Sequence, residues 1–263
     1  MRYVHSRNRA ILREMISTDF KIRYQGSVLG YFWSLLKPLF LFAILYVVFT
    51  YVIPLGKGVP HFAVYLLLGV VLWNFFSEAT TVGAGAIVAK GDLIRKISIP
   101  RYLVIVSSSI SAFINLGLGL IVVFIFALFS GIVPSLQWLL IIPLAFELFI
   151  FAISISFFLA AAFVKYRDIT YIWEVVLQAG LYASAIIYPL SSVPGQYHKW
   201  FFLNPIVQII QDARYAIVTP TTVTIWHTLS FPYVLVPFII ILAIAILAWR
   251  YFKKKSVTFA EDI

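Results

Sequence analysis

The sequence predicts an all-α integral membrane protein with six transmembrane helices. Composition and the distribution of charge support this. The chain has 263 residues, of which 62% are hydrophobic, and its mean hydropathy is +0.99. Soluble domains run at about 45–50% apolar residues and roughly 25% charged ones; here only 11% are charged. A chain this apolar cannot cover a surface facing water, so its solvent is hydrocarbon. A soluble enzyme and a disordered tail are excluded on this ground. There is no Cys, which removes disulfides, thiolate chemistry and Cys-ligated metal.

A membrane helix needs about 20 mainly apolar residues. Six stretches satisfy this: Tyr31–Ile53, His61–Val82, Tyr102–Phe129, Leu139–Val164, Ile169–Tyr188 and Pro232–Trp249. The first carries Lys37 and Pro38 near its start, which puts its first turn at headgroup level. The first 30 residues are charged throughout and contain no apolar core of a cleavable signal peptide. The expected organisation is a cytoplasmic N-terminal interface helix within 1–30, a six-span domain over 31–249 and a basic cytoplasmic tail over 250–263.

Of the 20 Lys and Arg residues, 17 fall on one side of these spans and 3 (Lys57, Lys199 and Arg214) on the other. Positive charge stays cytoplasmic. Both termini are therefore expected inside. The net charge of +10 follows from topology, and no nucleic-acid partner is expected.

Three segments are not spans. His5–Tyr24 has helical periodicity, with Ile11, Leu12, Met15, Ile16 and Ile22 on a broad apolar face. Arg7, Arg9, Arg13, Lys21 and Arg23 project toward water or lipid phosphate. This is an interfacial amphipathic helix, either a plain anchor or a mechanical element beside a partner. Between the second and third spans, Gly91-Asp92-Leu93-Ile94-Arg95-Lys96-Ile97 is bracketed by Gly91 and Pro100. Leu93, Ile94 and Ile97 can share one face of a short cytoplasmic helix, which has something to dock against unless it is a solvated loop. The third segment, Pro189–Phe231, is outside yet rich in aromatics. Two short helices fit there, near Gln196–Leu203 and Pro205–Val218, with Pro205 suited to a first turn. They are either half-inserted at the outer leaflet or lie on the surface.

Acidic groups in hydrocarbon are costly and face a bundle interior or water. Glu78, Glu147 and Glu174 are the candidates. Tyr171, Glu174, Gln178 and Tyr182 are spaced to share one helical face, a wall suited to water or sugar because aromatic faces stack on sugars while their OH groups hydrogen-bond. Val176, Leu177, Ala183 and Ile187 occupy the opposite face. Ser108, Ser111, Asn115 and Gly119 in the third span favour close helix packing. Glu147, between Phe146 and Phe149, fits a protonated acid, an interfacial one, or one paired with a cytoplasmic-side Arg.

Gly83–Lys90 has glycines and a lysine without phosphate-loop spacing. The four His are widely separated and have no metal-ligand spacing. No metal, no cofactor and no catalytic residues of this chain's own are expected.

Several segments together resemble the permease subunit of type-2 ABC exporters, in the polysaccharide branch. Lys21–Leu39 resembles that family's "basic-Tyr, Leu-Gly-x-x-Trp, Pro-Leu" segment, with Gly30, Trp33 and Pro38 in place. Phe163–Ile169 resembles its aromatic-Arg-Asp-Ile turn, and Leu203-Asn204-Pro205-Ile206 its Asn-Pro motif, with Ile where Met is usual. The resemblance covers nearly the whole chain. It implies a homodimer in the bacterial cytoplasmic membrane, joined to two ATPase subunits that hold the ATP and Mg2+. The implied substrate is a glycan on an undecaprenyl-type lipid: O-antigen, capsule polysaccharide or wall teichoic acid. Gly91–Ile99 would be the coupling helix, and Arg167 with Asp168 a second ATPase contact. Trp200, Asn204 and Pro205 would belong to an outer gate, and the N-terminal basic residues would meet a lipid pyrophosphate. A type-2 permease for drugs or simple lipids is an alternative. A membrane enzyme of glycolipid assembly is another; it would need a polar cluster converging on one depth, whereas Glu147 and Glu174 lie at different depths with no second acidic partner in view.

Overall fold

A computed structural model describes residues 2–24, 30, 32–53, 56, 58–96, 99–256 and 259. The described residues form helices and connecting turns, with no strand among them. Ile97 lies outside the described residues, as do the side chains of Arg23, Arg95 and Lys96.

The chain opens with α1 (Arg2–Tyr24), followed by α2 (Phe32–Val47), which runs on into a π-helical turn, Val48–Val52. Next come α3 (Phe62–Ala89), the short α4 (Gly91–Lys96) and α5 (Arg101–Phe129). A 3₁₀ turn, Leu136–Leu140, leads into α6 (Ile141–Phe163), and α7 (Ile169–Ala183) follows. The segment predicted to lie outside holds α8 (Gly195–Phe201), α9 (Pro205–Ile217) and α10 (Ile225–Thr228), and the last helix is α11 (Val236–Lys255).

Five of the described helices are long and apolar enough to cross a membrane: Leu35–Val52, Phe62–Ala89, Arg101–Phe129, Leu136–Phe163 and Tyr233–Lys255. Each coincides with an apolar stretch predicted from sequence. The stretch Ile169–Tyr188 differs. Its helix, α7, has 15 residues and rises about 22 Å, short of the roughly 30 Å hydrocarbon layer. It stops because Ala185 takes a left-handed backbone, with φ +49°.

The centre of the bundle is α3, packed between α5 and α6. Its apolar residues are buried almost all round. That is the expected pattern for a helix surrounded by protein. Close approach depends on small residues. A Cβ built at Gly83 would stand 2.6 Å from Ser156 Oγ, and one at Gly119 2.8 Å from Val71 Cγ1. Ser156 Oγ donates across this seam to Ala79 O at 3.0 Å. Gly119, Ser108, Ser111 and Asn115 therefore sit in packed positions, as their spacing predicted. Ser108 and Ser111 return their hydroxyls to their own helix, at 2.9 and 3.0 Å. The last helix, α11, closes on α6 through Phe252 and Phe157, whose rings meet at 5.0 Å.

Candidate functional site

The positions of interest fall at three levels: the interface-helix end, the uncovered face of α7, and the outer helices.

At the first level, α1 lies across the ends of α3 and α5. Met15 is buried against Ala86 and Val104, with Ile11 and Ile94 alongside. Asp19 accepts from Lys90 Nζ at 2.6 and 2.8 Å. Lys90 directly precedes α4, so one ion pair ties the interface helix to the start of the predicted coupling helix. Arg7, Arg9, Arg13 and Lys21 are exposed, on the side away from this seam. On α4, Gly91 is buried, Asp92 exposed and Leu93 half-buried. Ile94 turns inward onto the α1 cluster, so the outward apolar face is narrower than the sequence predicted. The turn before α7 is exposed at Arg167 and Asp168. Arg167 stacks over Phe163, 5.2 Å from the ring centre.

At the second level, α7 touches the bundle along a narrow seam. Trp173 Nε1 donates to Thr80 Oγ1 at 3.0 Å, Leu177 is buried, and a Cβ at Gly180 would stand 2.7 Å from Trp73 Cη2. Tyr171, Glu174, Gln178 and Tyr182 all face away from it and are exposed, Tyr171 at 69% and Tyr182 at 62%. The predicted stripe is thus a continuous uncovered line. Its apolar opposite is not the one expected: Val176 is exposed, and the packed side runs through Trp173, Leu177 and Gly180. An indole, a buried leucine and a glycine together make the seam. Glu78, the remaining acid at this depth, accepts from Asn115 Nδ2 at 3.0 Å.

The outer level is the most elaborated. Asn204 caps α9 by accepting from Ile206 N at 3.0 Å, while its Nδ2 donates to Ser184 Oγ at 3.0 Å. The Asn-Pro pair therefore starts α9 and ties it to the end of α7. From α9, Arg214 reaches inward and is fully buried. Its Nε donates to Tyr65 O at 3.0 Å, Nη1 to Ala185 O at 2.8 Å and Nη2 to Ile186 O at 2.6 Å. The guanidinium lies 3.6 Å from the Tyr65 ring centre. Three backbone carbonyls and an aromatic face thus hold a cation with no carboxylate partner among the described residues. Burial pulls its pKa below the usual value. The carbonyls of Ala185 and Ile186 are free because α7 has ended, so Arg214 satisfies the non-helical backbone that would otherwise be orphaned. From sequence, Arg214 counted only as one of three outer charges. Its setting among Ala213, Ala216 and Ile217 was the available signal.

Glu147 points at α9, and no Arg pairs with it among the described residues. Gln208, fully buried, stands between two acids: its Nε2 donates to Asp212 Oδ2 at 2.9 Å, and the same side chain approaches Glu147. Burial pushes Asp212 up to about 6, against the opposing pull of bonds from Gln208, Trp226 and the Ile225 amide and of nearby His227. The second acid that Glu147 lacked in sequence therefore exists, 65 residues downstream in a segment assigned to the outside. Gln208, Gln211 and Arg214 follow one another at three-residue steps among Ile and Val. That spacing marks a polar face on a buried helix. Trp200 on α8 is exposed, with Lys199 over its ring at 5.4 Å.

A bundle of membrane-length helices, with the short buried α9 packed against it and an uncovered polar stripe on one helix, defines a multi-pass membrane protein. The family profile described as ABC-2 type transporter matches residues 12–218, and the chain belongs to that family. Among curated relatives, it is 25% identical over 252 residues to an O-antigen export system permease protein RfbA of Klebsiella pneumoniae, covering 95% of this chain and 94% of the relative. It is 26% identical to RfbA of Myxococcus xanthus over 204 residues, covering 77% and 78%. It is 22% identical to the polysialic acid transport protein KpsM of Escherichia coli over 200 residues, covering 76% and 78%.

Proposed function

We propose that this chain is the membrane permease subunit of an ATP-driven exporter of lipid-linked polysaccharide. It works as a homodimer with two ATPase subunits in the bacterial cytoplasmic membrane, both termini inside. The single observation that carries this is the uncovered stripe Tyr171, Glu174, Gln178 and Tyr182 on α7. Polar and aromatic side chains left open at hydrocarbon depth need a wet or sugar-filled neighbour, and a channel between two copies supplies one. The near-complete coverage of an O-antigen permease points to the same substrate class. The cargo is O-antigen, capsule polysaccharide or wall teichoic acid on an undecaprenyl-type carrier.

In this reading ATP and Mg2+ belong to the partner. Closure of the ATPases pushes α4, with Leu93 and the Arg167–Asp168 turn as contacts. Lys90 and Asp19 pass the motion to α1, whose Arg7, Arg9, Arg13 and Lys21 meet the lipid pyrophosphate. The helices α2 and α7 then shift against the second copy, and α8 and α9, with Trp200, Asn204 and Pro205, gate the outer mouth.

The test is export in a bacterial host lacking the chain. Wild type is expected to restore surface glycan and to co-purify with its ATPase. The variant Gln178→Ala/Tyr182→Ala is expected to fold and bind the ATPase but to export more slowly. Normal surface glycan in the deletion strain, or full export by the double variant, would overturn the reading.

A further inference from the structure

A groove opens where the start of α5 meets the last turns of α11, with a volume of about 620 Å³. Among the described residues it takes none from α2 or α7, but Ile94 of α4 lines it, so a ligand held there lies off the α7 stripe and beside the helix proposed to meet the ATPase. One wall is aromatic and already packed. Trp249 stacks on Phe252 at 6.1 Å and meets Phe157 edge-on at 5.5 Å and Tyr102 at 6.3 Å. Trp and Tyr at a helix end mark the headgroup layer, and this pair lies on the side that carries most of the Lys and Arg.

The other wall is cationic. Arg101 and Lys253 line the groove, and no acidic residue lines it among the described residues. Neither side chain has a hydrogen bond or ion pair among the described residues; Arg101 lies over the Phe259 ring at 5.9 Å. The groove also receives the N-terminus of α5, a helix of 29 residues whose N-cap, Pro100, supplies no capping side chain. Of the first-turn amides, that of Leu103 is already taken by Pro100 O at 2.9 Å, and the helix dipole favours an anion at those that remain. The facing end of α11 would oppose this, but its last turn carries Lys253, Lys254 and Lys255, and Ser256 returns its N–H and Oγ to Phe252 O and Lys253 O. The local field is positive.

We propose that this groove holds an anionic phospholipid, with its phosphate between Arg101, Lys253 and the α5 amides and its glycerol region against Trp249 and Tyr102. Basic pockets between membrane helices on the cytoplasmic side suit such headgroups. A bare anion would leave the aromatic wall unused, which is why the headgroup of a lipid fits better than free phosphate.

The experiment uses the full chain in nanodiscs of phosphatidylcholine, with or without phosphatidylglycerol. Phosphatidylglycerol is expected to raise the thermal midpoint and to stay bound in native mass spectrometry. Arg101→Gln/Lys253→Gln removes both charge-assisted contacts and is expected to retain it at least about tenfold less, the loss that one such contact alone would give, and Arg101→Lys/Lys253→Arg to recover most of it. Lys253→Gln alone alters an exposed side chain and serves if the double variant misfolds. Equal retention by wild type and the Gln variants overturns the proposal. So does equal destabilisation of the variants with and without phosphatidylglycerol, which would mean that the cations serve the chain itself. Inorganic phosphate matching the lipid's effect in pure phosphatidylcholine would overturn the lipid assignment.

Discussion

Arg214 occupies the space that a side chain at Gly69 would need: a Cβ built there would stand 2.6 Å from Arg214 Nη2. That nitrogen is also 2.6 Å from Ile186 O, in a fully buried setting, so it cannot swing away without losing its acceptor. Gly69→Ala is therefore expected to destabilise the chain by about 2 kcal/mol, the order of one buried polar group left unpaired. The check is the thermal midpoint in detergent; an alanine variant as stable as wild type would show that the guanidinium has room to move.

Removing the cation should cost more. Arg214→Met leaves the non-helical carbonyls of Ala185 and Ile186 without their donor and removes a further bond to Tyr65 O, which keeps its place in the α3 ladder; a loss of about 3 kcal/mol is expected. Arg214→Lys is expected to rescue little, because a point charge cannot span three carbonyls as a planar fork does. Hydrogen exchange of the Ser184–Tyr188 amides reports the site directly: their protection should drop in both variants.

Asp212 makes stability depend on pH. Its pKa is about 6 in the folded chain against an ordinary 3.8, so the folded state holds a proton that the unfolded state releases. Stability is then fully present below about pH 4 and is lost as pH rises toward 6. Asp212→Asn should flatten that slope and raise the midpoint at pH 7 relative to wild type. Parallel pH profiles for the two proteins would contradict this.

The Asp19–Lys90 pair is partly exposed, at 18% and 22%, so its worth to stability is about 1 kcal/mol or less. Its expected effect is on transmission. Asp19→Lys should loosen α1 and raise proteolysis near it, and Asp19→Lys/Lys90→Asp should restore protection. If the double reversal stays as sensitive as the single, the pair does not hold α1.

The two sides of α7 should respond differently. Gly180→Val drives a side chain into Trp73 and is expected to lower the midpoint by several degrees. Gln178→Ala, on the open side, should leave it within a degree or so of wild type. Comparable losses from both would mean that the stripe is covered in the isolated chain.

Much of the architecture was legible in the residues. Five apolar stretches became membrane-length helices because hydrophobic length acts locally and needs no knowledge of neighbours. The Asn204-Pro205 pair marked a helix start for a similarly local reason, and Asn204 caps as its type suggests. The polar spacing on α7 put four side chains on one open line. The same arithmetic failed for the packed side of that helix, since which residues meet Trp73 and Thr80 depends on where α3 lies.

By itself, the sequence determined that the chain lives in hydrocarbon, where its five membrane-length helices lie, where the polar stripe runs, and which family's motifs it carries. Those follow from composition, periodicity and local backbone preference. Only the tertiary structure decided that α7 ends at Ala183 and leaves carbonyls for Arg214, that Glu147 faces Gln208 and Asp212, and that Lys90 meets Asp19. Each of these joins residues from 28 to 71 positions apart or more. Burial and pairing of polar groups at such separations depend on how helices pack, which residue order alone does not specify.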